Sequence, residues 1–191
     1  MKLKGLMLIL FILILLVGCS PSQSQDQDQK EGISEDQLAV IRLDDGAKIS
    51  YGMTRDEVNE ELGEDNFDED GLTGYDSGLG VVYREDKVVS MILSEDSEGV
   101  YETADGVSLG MNEQETMEVY GDKSRATQQE PENSLSYIYD KETKEYWSSH
   151  HEVEIKSQDI KSLYLIHFRF DPNGSLYMIS LGDYLGVANM L

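Results

Sequence analysis

Three groups of side chains have the types and spacing to do chemistry. Asn66, Asp68 and Asp70 set oxygen ligands at alternate positions ahead of Gly71, as a calcium loop opens. Such a loop closes on a bidentate glutamate at its twelfth position. Here that position is Ser77, and the nearest acid is Asp76. A weak extracellular calcium site is one reading, and a solvated acidic loop is the other. His150, His151, Glu152 and Glu154, with His167, form the second group. Neighbours on a strand point to opposite sides, so His150 and His151 make poor co-ligands. The third group is aromatic. Tyr137, Tyr139, Tyr146 and Trp147 fall close together. Aromatics exposed on a sheet make contact surfaces for proteins or glycans, and these four are the candidate protein contact. Strands also favour tyrosine in plain cores.

No nucleophile constellation emerges from the other residues. Gly78-Leu79-Gly80 enters a strand with no downstream helix or lysine, so it is no phosphate loop. Paired carboxylates single out nothing in a chain with 38 acids. The expectation is a protein that is not an enzyme, with no cofactor unless calcium binds weakly.

The elements that would position these residues are organised by a stretch that occurs twice. Ile49-Ser-Tyr-Gly-Met-Thr-Arg-Asp-Glu-Val-Asn-Glu-Glu-Leu-Gly63 is matched by Val107-Ser-Leu-Gly-Met-Asn-Glu-Gln-Glu-Thr-Met-Glu-Val-Tyr-Gly121. Each reads as a short helix. Thr54 with Glu57, and Asn112 with Glu115, make capping boxes. The glutamates also suit the positive helix end. Val58 and Leu62 share one face, as do Thr116 and Tyr120. Gly63 and Gly121 stop the helices as left-handed caps.

Around these helices the pattern is β-rich. Leu79–Arg84 and Lys87–Leu93 flank Glu85-Asp86 as an antiparallel hairpin. Ser162–Phe170 and Ser175–Leu181 make a second, across Asp171-Pro172-Asn173-Gly174, a type I turn sequence. Leu135–Tyr139 reads as a strand, Asp140–Lys144 as its turn, and Tyr146-Trp147 as the return. Glu64–Tyr75 reads as an acidic, glycine-punctuated loop. Met178-Ile179 echoes Met91-Ile92, so each copy runs helix, loop, antiparallel strands, and the second carries an insertion. The tail from Tyr184 is apolar and packs back on the core.

The start of the chain carries an address. Met-Lys-Leu-Lys-Gly precedes an apolar run from Leu6 to Val17, too short to span a membrane and suited to a signal peptide. The run ends Leu16-Val17-Gly18-Cys19, which resembles the bacterial lipobox. That resemblance implies acylation (palmitate among the acyl groups) of Cys19, the only cysteine. Ser20 to Gly32 holds no apolar anchor and reads as a tether. The formal net charge is −23, and loss of Lys2 and Lys4 with the leader deepens it by two. A surface this acidic repels nucleic acid, which is excluded as a partner.

Gly52-Met53-Thr54, Glu57-Val58 and Leu62-Gly63, then Gly110-Met111, Glu115 and Gly121, resemble the SmpA/OmlA envelope lipoproteins. Their tandem arrangement is similar to the β-lactamase-inhibitor-protein-like (BLIP-like) fold. The resemblance implies helices packed on a small antiparallel sheet, twice over, in a non-catalytic binding module. The chain departs from the inhibitors in lacking cysteines for disulfides.

The expectation is therefore an α+β protein in four parts. Residues 1–18 are a lipoprotein signal peptide and 19–33 a disordered tether. Residues 34–98 form a first repeat and 99–191 a second. It sits lipid-anchored on the extracytoplasmic face of the cell membrane and binds an envelope or secreted protein. Inhibition of a secreted or envelope hydrolase, and calcium binding, are the alternatives.

Overall fold

The computed structural model describes residues 32–122, 125–129, 132–147 and 160–190. The fold is α+β with antiparallel sheets. β1 (Ala39–Arg42), β2 (Lys48–Ser50) and β7 (Tyr101–Thr103) form a small sheet in the order β2-β1-β7. The large sheet takes in β3 (Phe67–Glu69), β4 (Leu72–Gly74), β5 (Leu79–Arg84) and β6 (Lys87–Leu93). To these it adds β8 (Arg125–Gln129), β9 (Glu132–Asp140), β10 (Glu145–Trp147), β11 (Leu163–Phe170) and β12 (Leu176–Asp183). Its order is β10-β9-β11-β12-β6-β5-β4-β3, with β8 also on β9.

Both helices form where the capping boxes predict. α1 (Arg55–Leu62) is capped by Thr54, which accepts from the Glu57 N–H while Glu57 accepts from the Thr54 N–H at 2.8 Å. α2 (Glu113–Tyr120) repeats this with Asn112 and Glu115. Val58 and Thr116 are the fully buried residues of these helices. Gly63 and Gly121 end them at φ 88° and 81°, but with extended ψ rather than the left-handed helical cap expected. In each case the glycine N–H still closes the last helical turn, onto Asn59 and Met117.

The two motifs dock in the same way. The Gly52 N–H donates to Val88 O, and the Val88 N–H donates to Met53 O, both at 2.8 Å. Gly110, Met111 and Leu176 make the same two bonds at 2.8 Å. Thr54 bridges Lys87 as Asn112 bridges Ser175. Val88 thus corresponds to Leu176, Met91 to Ile179 and Ile92 to Ser180. The Met91-Ile92 and Met178-Ile179 echo is one residue out of this register. A one-residue slip exchanges the faces of a strand. Accordingly Met91 is fully buried in the core, whereas Met178 is half-buried on the other face.

β6 and β12 are the neighbours at the middle of the large sheet. They pair antiparallel with Ile92 opposite Ser180 and Met91 opposite Leu181. Residues 34–98 and 99–191 therefore share the large sheet, and β1 with β7 joins them in the small one. The core lies on the helix side. There Tyr137, Ile166, Leu181, Met91 and Val81 run in one row across the sheet, all buried. Leu135, Phe168, Ile179, Leu93 and Leu79 make a second row.

The other face is partly covered by α3 (Tyr184–Ala188). Asp183 caps α3 through the Gly186 N–H at 2.8 Å and pairs with Arg84, 2.7 Å and 3.2 Å. Val187 packs with Ile138, Leu163 and Leu165 there. The tail thus returns to the core as the apolar pattern predicts.

Two expectations are corrected. Ile33, read as the end of the tether, is in the core at 4% exposure. A side chain at Gly32 would strike the Tyr139 ring, so packing begins there. Glu64–Tyr75 is not a loop but holds the β3–β4 hairpin, and its turn is Asp70-Gly71, with φ 51° and 84°. An Asp-Gly pair with both φ positive is the favoured two-residue hairpin turn.

The join between β6 and β12 has no room for a side chain at Gly182. A Cβ there would lie 2.1 Å from Val89 O and 2.7 Å from Ser90 Cα. Overpacking a rigid backbone contact costs about 1–3 kcal/mol and at times more. Gly182→Ala should lower the unfolding free energy by at least that amount, read as a lower urea midpoint with the slope unchanged.

Asp171 supports the β11–β12 turn. Its carboxylate accepts from the Ser175 N–H at 2.9 Å and the Asn173 N–H at 2.8 Å. The Ser175 bond, then the Asn173 contacts, hold its pKa below the usual carboxylate value. A lowered folded-state pKa stabilises above the unfolded value, about 3.9, and the effect is lost as pH falls through the folded value. Asp171→Asn should therefore flatten the acid side of the stability curve, read as urea midpoints from pH ~5 to ~2.

Candidate functional site

The four aromatic residues expected to form a contact surface do not share a face. Tyr137 is fully buried and Tyr139 is 7% exposed. Tyr137 stands opposite Ile166 on the helix side, and its hydroxyl donates to Gly121 O at 2.8 Å. It packs against Tyr120 and Phe168, with centroids 5.4 Å and 6.1 Å away. Tyr146 lies across from Tyr139 with ring centroids 5.1 Å apart. Burial pushes its hydroxyl pKa up to about 12, with Tyr139 adding to the effect. Trp147 lies across from Ile138 and joins the cluster under α3 on the opposite face. The alternation of a strand splits the set: Tyr137, Tyr139 and Tyr146 complete the core, and Trp147 packs beneath the C-terminal helix.

The calcium candidates are likewise dispersed. Asn66 donates its side-chain amide to Asp76 at 2.8 Å. Asp68 pairs with Arg55 at 3.0 Å on the helix side of β3, and Asp70 is the first residue of the hairpin turn. Arg55 also pairs with Asp65 at 3.0 Å and lies over the Tyr83 ring, 4.3 Å from its centroid. Strand geometry with one ligand held by an arginine is not a chelating loop.

Among the described residues no cluster of three His, Cys, Asp or Glu could hold a metal. His150, His151, Glu152, Glu154 and Cys19 lie outside the described residues. His167 faces away from Ile166 and Phe168, as expected of alternation. Its Nδ1 is 2.8 Å from the Ser136 hydroxyl, with both residues under 10% exposed. That burial leaves a substrate no access to the pair. Gly106-Val107-Ser108-Leu109-Gly110 also has the G-x-S-x-G spacing of a nucleophile elbow, which went unread in the sequence. Such an elbow puts its serine on a strained turn straight into a helix. Here Ser108 is bridged to Glu102, is absent from the positive-φ positions, and is followed by Asn112 as the helix cap. Ser50 holds the matching position at the end of β2 with no such glycine before it.

The site that remains was not legible as chemistry. It lies on the face away from α1 and α2, at the β3 end of the sheet. Phe67, Gly74, Gly80 and Ile92 stand in register across β3, β4, β5 and β6. They floor a groove of about 430 Å³, with Leu72, Ser77, Gly78 and Ser94 in its walls. Phe67 is 48% exposed. A Cβ at Gly74 would come within 2.0 Å of its ring, so only glycine lets Phe67 lie there. Leu72 lies over Gly80 in a similar way, 2.9 Å from where a Cβ would stand. Asp96 lines the groove and no lysine, arginine or histidine does; Asp76 stands beside it, held at 2.8 Å by the side-chain amide of Asn66, itself a lining residue. The signal available in sequence was Phe67 paired to a glycine strand across Asp70-Gly71.

No protein-family model matches the chain, and no curated protein matches it. Among solved structures, the chain is similar to an extracellular protein containing a SCP domain from Bacillus anthracis. Identity is 12% and the TM-score is 0.37, over 70% of this chain and 44% of that one. The chain thus spans less than half of that structure's length, and a likeness so slight decides neither fold nor function.

The burial of the aromatic set has a measurable consequence. Removing a buried large aromatic costs about 3–5 kcal/mol. Tyr137→Ala should lose stability in that range by urea denaturation, and Trp147→Ala, half-buried, should lose less.

Proposed function

We propose that this protein is a lipid-anchored lipoprotein on the extracytoplasmic face of the cell membrane. Its folded part is a pair of tandem repeats, BLIP-like in the sense that helices pack on a shared antiparallel sheet. It acts as a non-catalytic protein-binding module of the cell envelope. The anchor reading rests on Leu16-Val17-Gly18-Cys19 after an apolar run. The repeat reading is supported by the equal docking of Gly52-Met53-Thr54 and Gly110-Met111-Asn112. The observation that carries the binding reading is the groove under Phe67. It is a cleft on the sheet with Phe67, Leu72 and Ile92 among its lining residues and Asp96 at its rim. An exposed apolar patch with a few polar groups is the form that ligand and partner sites take.

Cys19→Ser should move the protein from the membrane to the soluble fraction without lowering its melting temperature. In cells, a photo-crosslinking residue at position 67 should capture one dominant protein. The same residue at position 118, on the exposed side of α2, should not. Equal capture at both positions would defeat the reading.

A further inference from the structure

The groove under Phe67 lacks one component that the protein supplies to itself elsewhere. On the helix side of the same strands, an aromatic ring and two carboxylates surround a guanidinium. Arg55 lies over Tyr83 at 4.3 Å and pairs with Asp65 and Asp68, each at 3.0 Å. On the outer side the groove presents Phe67 and Asp96, with Asp76 beside it on the lining Asn66 at 2.8 Å. The cation is missing from that set.

We infer that the groove takes a basic segment of a partner protein. An arginine or lysine stem lies along the open face of the Phe67 ring, with its charged end toward Asp96 at the groove's rim. This rests on the binding-module reading and names the partner's chemistry. Three observations favour a cation over other occupants. The ring face of Phe67 is open, and an aromatic face attracts a cation. The charged group lining the groove is the Asp96 carboxylate, and Asp76 is hydrogen-bonded to the lining Asn66 beside it. The chain's net charge of −23 repels a second copy and any acidic ligand while drawing in a basic one. Phe67 and Leu72 already lie over Gly74 and Gly80, so the occupant rests on an apolar side-chain surface, which the unbranched stem of a basic residue covers well.

The test uses the full-length lipidated protein in detergent and a fluorescein-labelled peptide of alternating leucine and lysine, eight residues long. A leucine–glutamate peptide is the control. Anisotropy is read at a salt concentration of about 150 mM, where long-range attraction is screened. The basic peptide should bind and the acidic one should not. Phe67→Ala and Asp96→Asn should each weaken binding by about fivefold or more. The double variant Glu113→Gln/Glu118→Gln removes two charges from α2 and should change binding less than twofold. Because Phe67 also covers Gly74, the melting temperature of Phe67→Ala is measured first. If that variant is unfolded, Asp96→Asn at the exposed rim decides. Absence of binding overturns the inference. So does an equal loss in the α2 variant, which marks diffuse attraction. If position 67 captures its partner in cells through an acidic or uncharged segment, the inference fails while the binding-module reading stands. If the peptide binds as expected but position 67 captures nothing in cells, the groove chemistry stands and the cellular reading falls.

Discussion

The antiparallel pairing of β6 with β12 is the constraint on which the rest of the structure depends. It places Ile92 against Ser180 at the centre of the large sheet, and strands on either side follow outward from it. Because corresponding residues face each other there, the sheet is close to two-fold symmetric about that point. Met91 opposite Leu181 is answered by Ile179 opposite Leu93. The core rows run unbroken across the join. Neither part has a closed core without it, since each supplies residues to both rows. A short unit with a single small sheet is marginal in water, and a shared sheet removes that difficulty.

The same join decides which parts of the outer face are open. Gly182 lets β12 approach the β6 backbone, and Gly186 of α3 has Ser90 and Val89 as its nearest neighbours. Asp183, 4% exposed, ties the end of β12 to Arg84 and caps α3. A buried carboxylate without its cation would be costly, so the pair also fixes where the chain turns. Helix α3 then closes the face over Leu165 and Ile138. Toward β3 none of the described elements gives such cover, and Phe67 stands over Gly74. The open groove is thus a consequence of where the C-terminal helix ends.

Much of this architecture was legible because it is local. Capping boxes, Glu85-Asp86 and Asp171–Gly174 specify their geometry within a few residues, and all formed where read. What was not legible depended on pairing between distant strands. Alternation shows that Tyr137 and Tyr139 share a side but not which side is covered, so a core row passed for a contact surface. Asp68 and Asp70 offered ligands in the sequence, but the strand that separates them, and the arginine that claims Asp68, come from the fold. The Asp70-Gly71 turn was hidden by the surrounding acids, although the pair is a strong hairpin signal. A one-residue register error in the echo of Met91 had a similar origin. Methionine recurs in both strands, but on opposite faces, and only the backbone bonds to Met53 and Met111 identify the true match.

Charge completes the argument about function. The chain has 38 acids and 15 lysines and arginines. Among the described residues, the arginines that anchor the fold are committed internally. Arg42 lies with Asp44 and Asp45, and its hydrogen bond holds the Asp45 carboxyl far below its ordinary pKa. Arg55 and Arg84 have their own acids. The surplus of carboxylate therefore faces solvent. Exposed ion pairs contribute little to stability, so these acids are not there chiefly to hold the fold. They keep like-charged chains apart and raise the encounter rate with basic ones. An acidic field alone does not select a partner, because it attracts every cation equally. Selection needs a shaped, water-excluding contact at which part of that field is focused. On this surface the cleft that joins the open Phe67 ring to the Asp96 carboxylate meets that requirement.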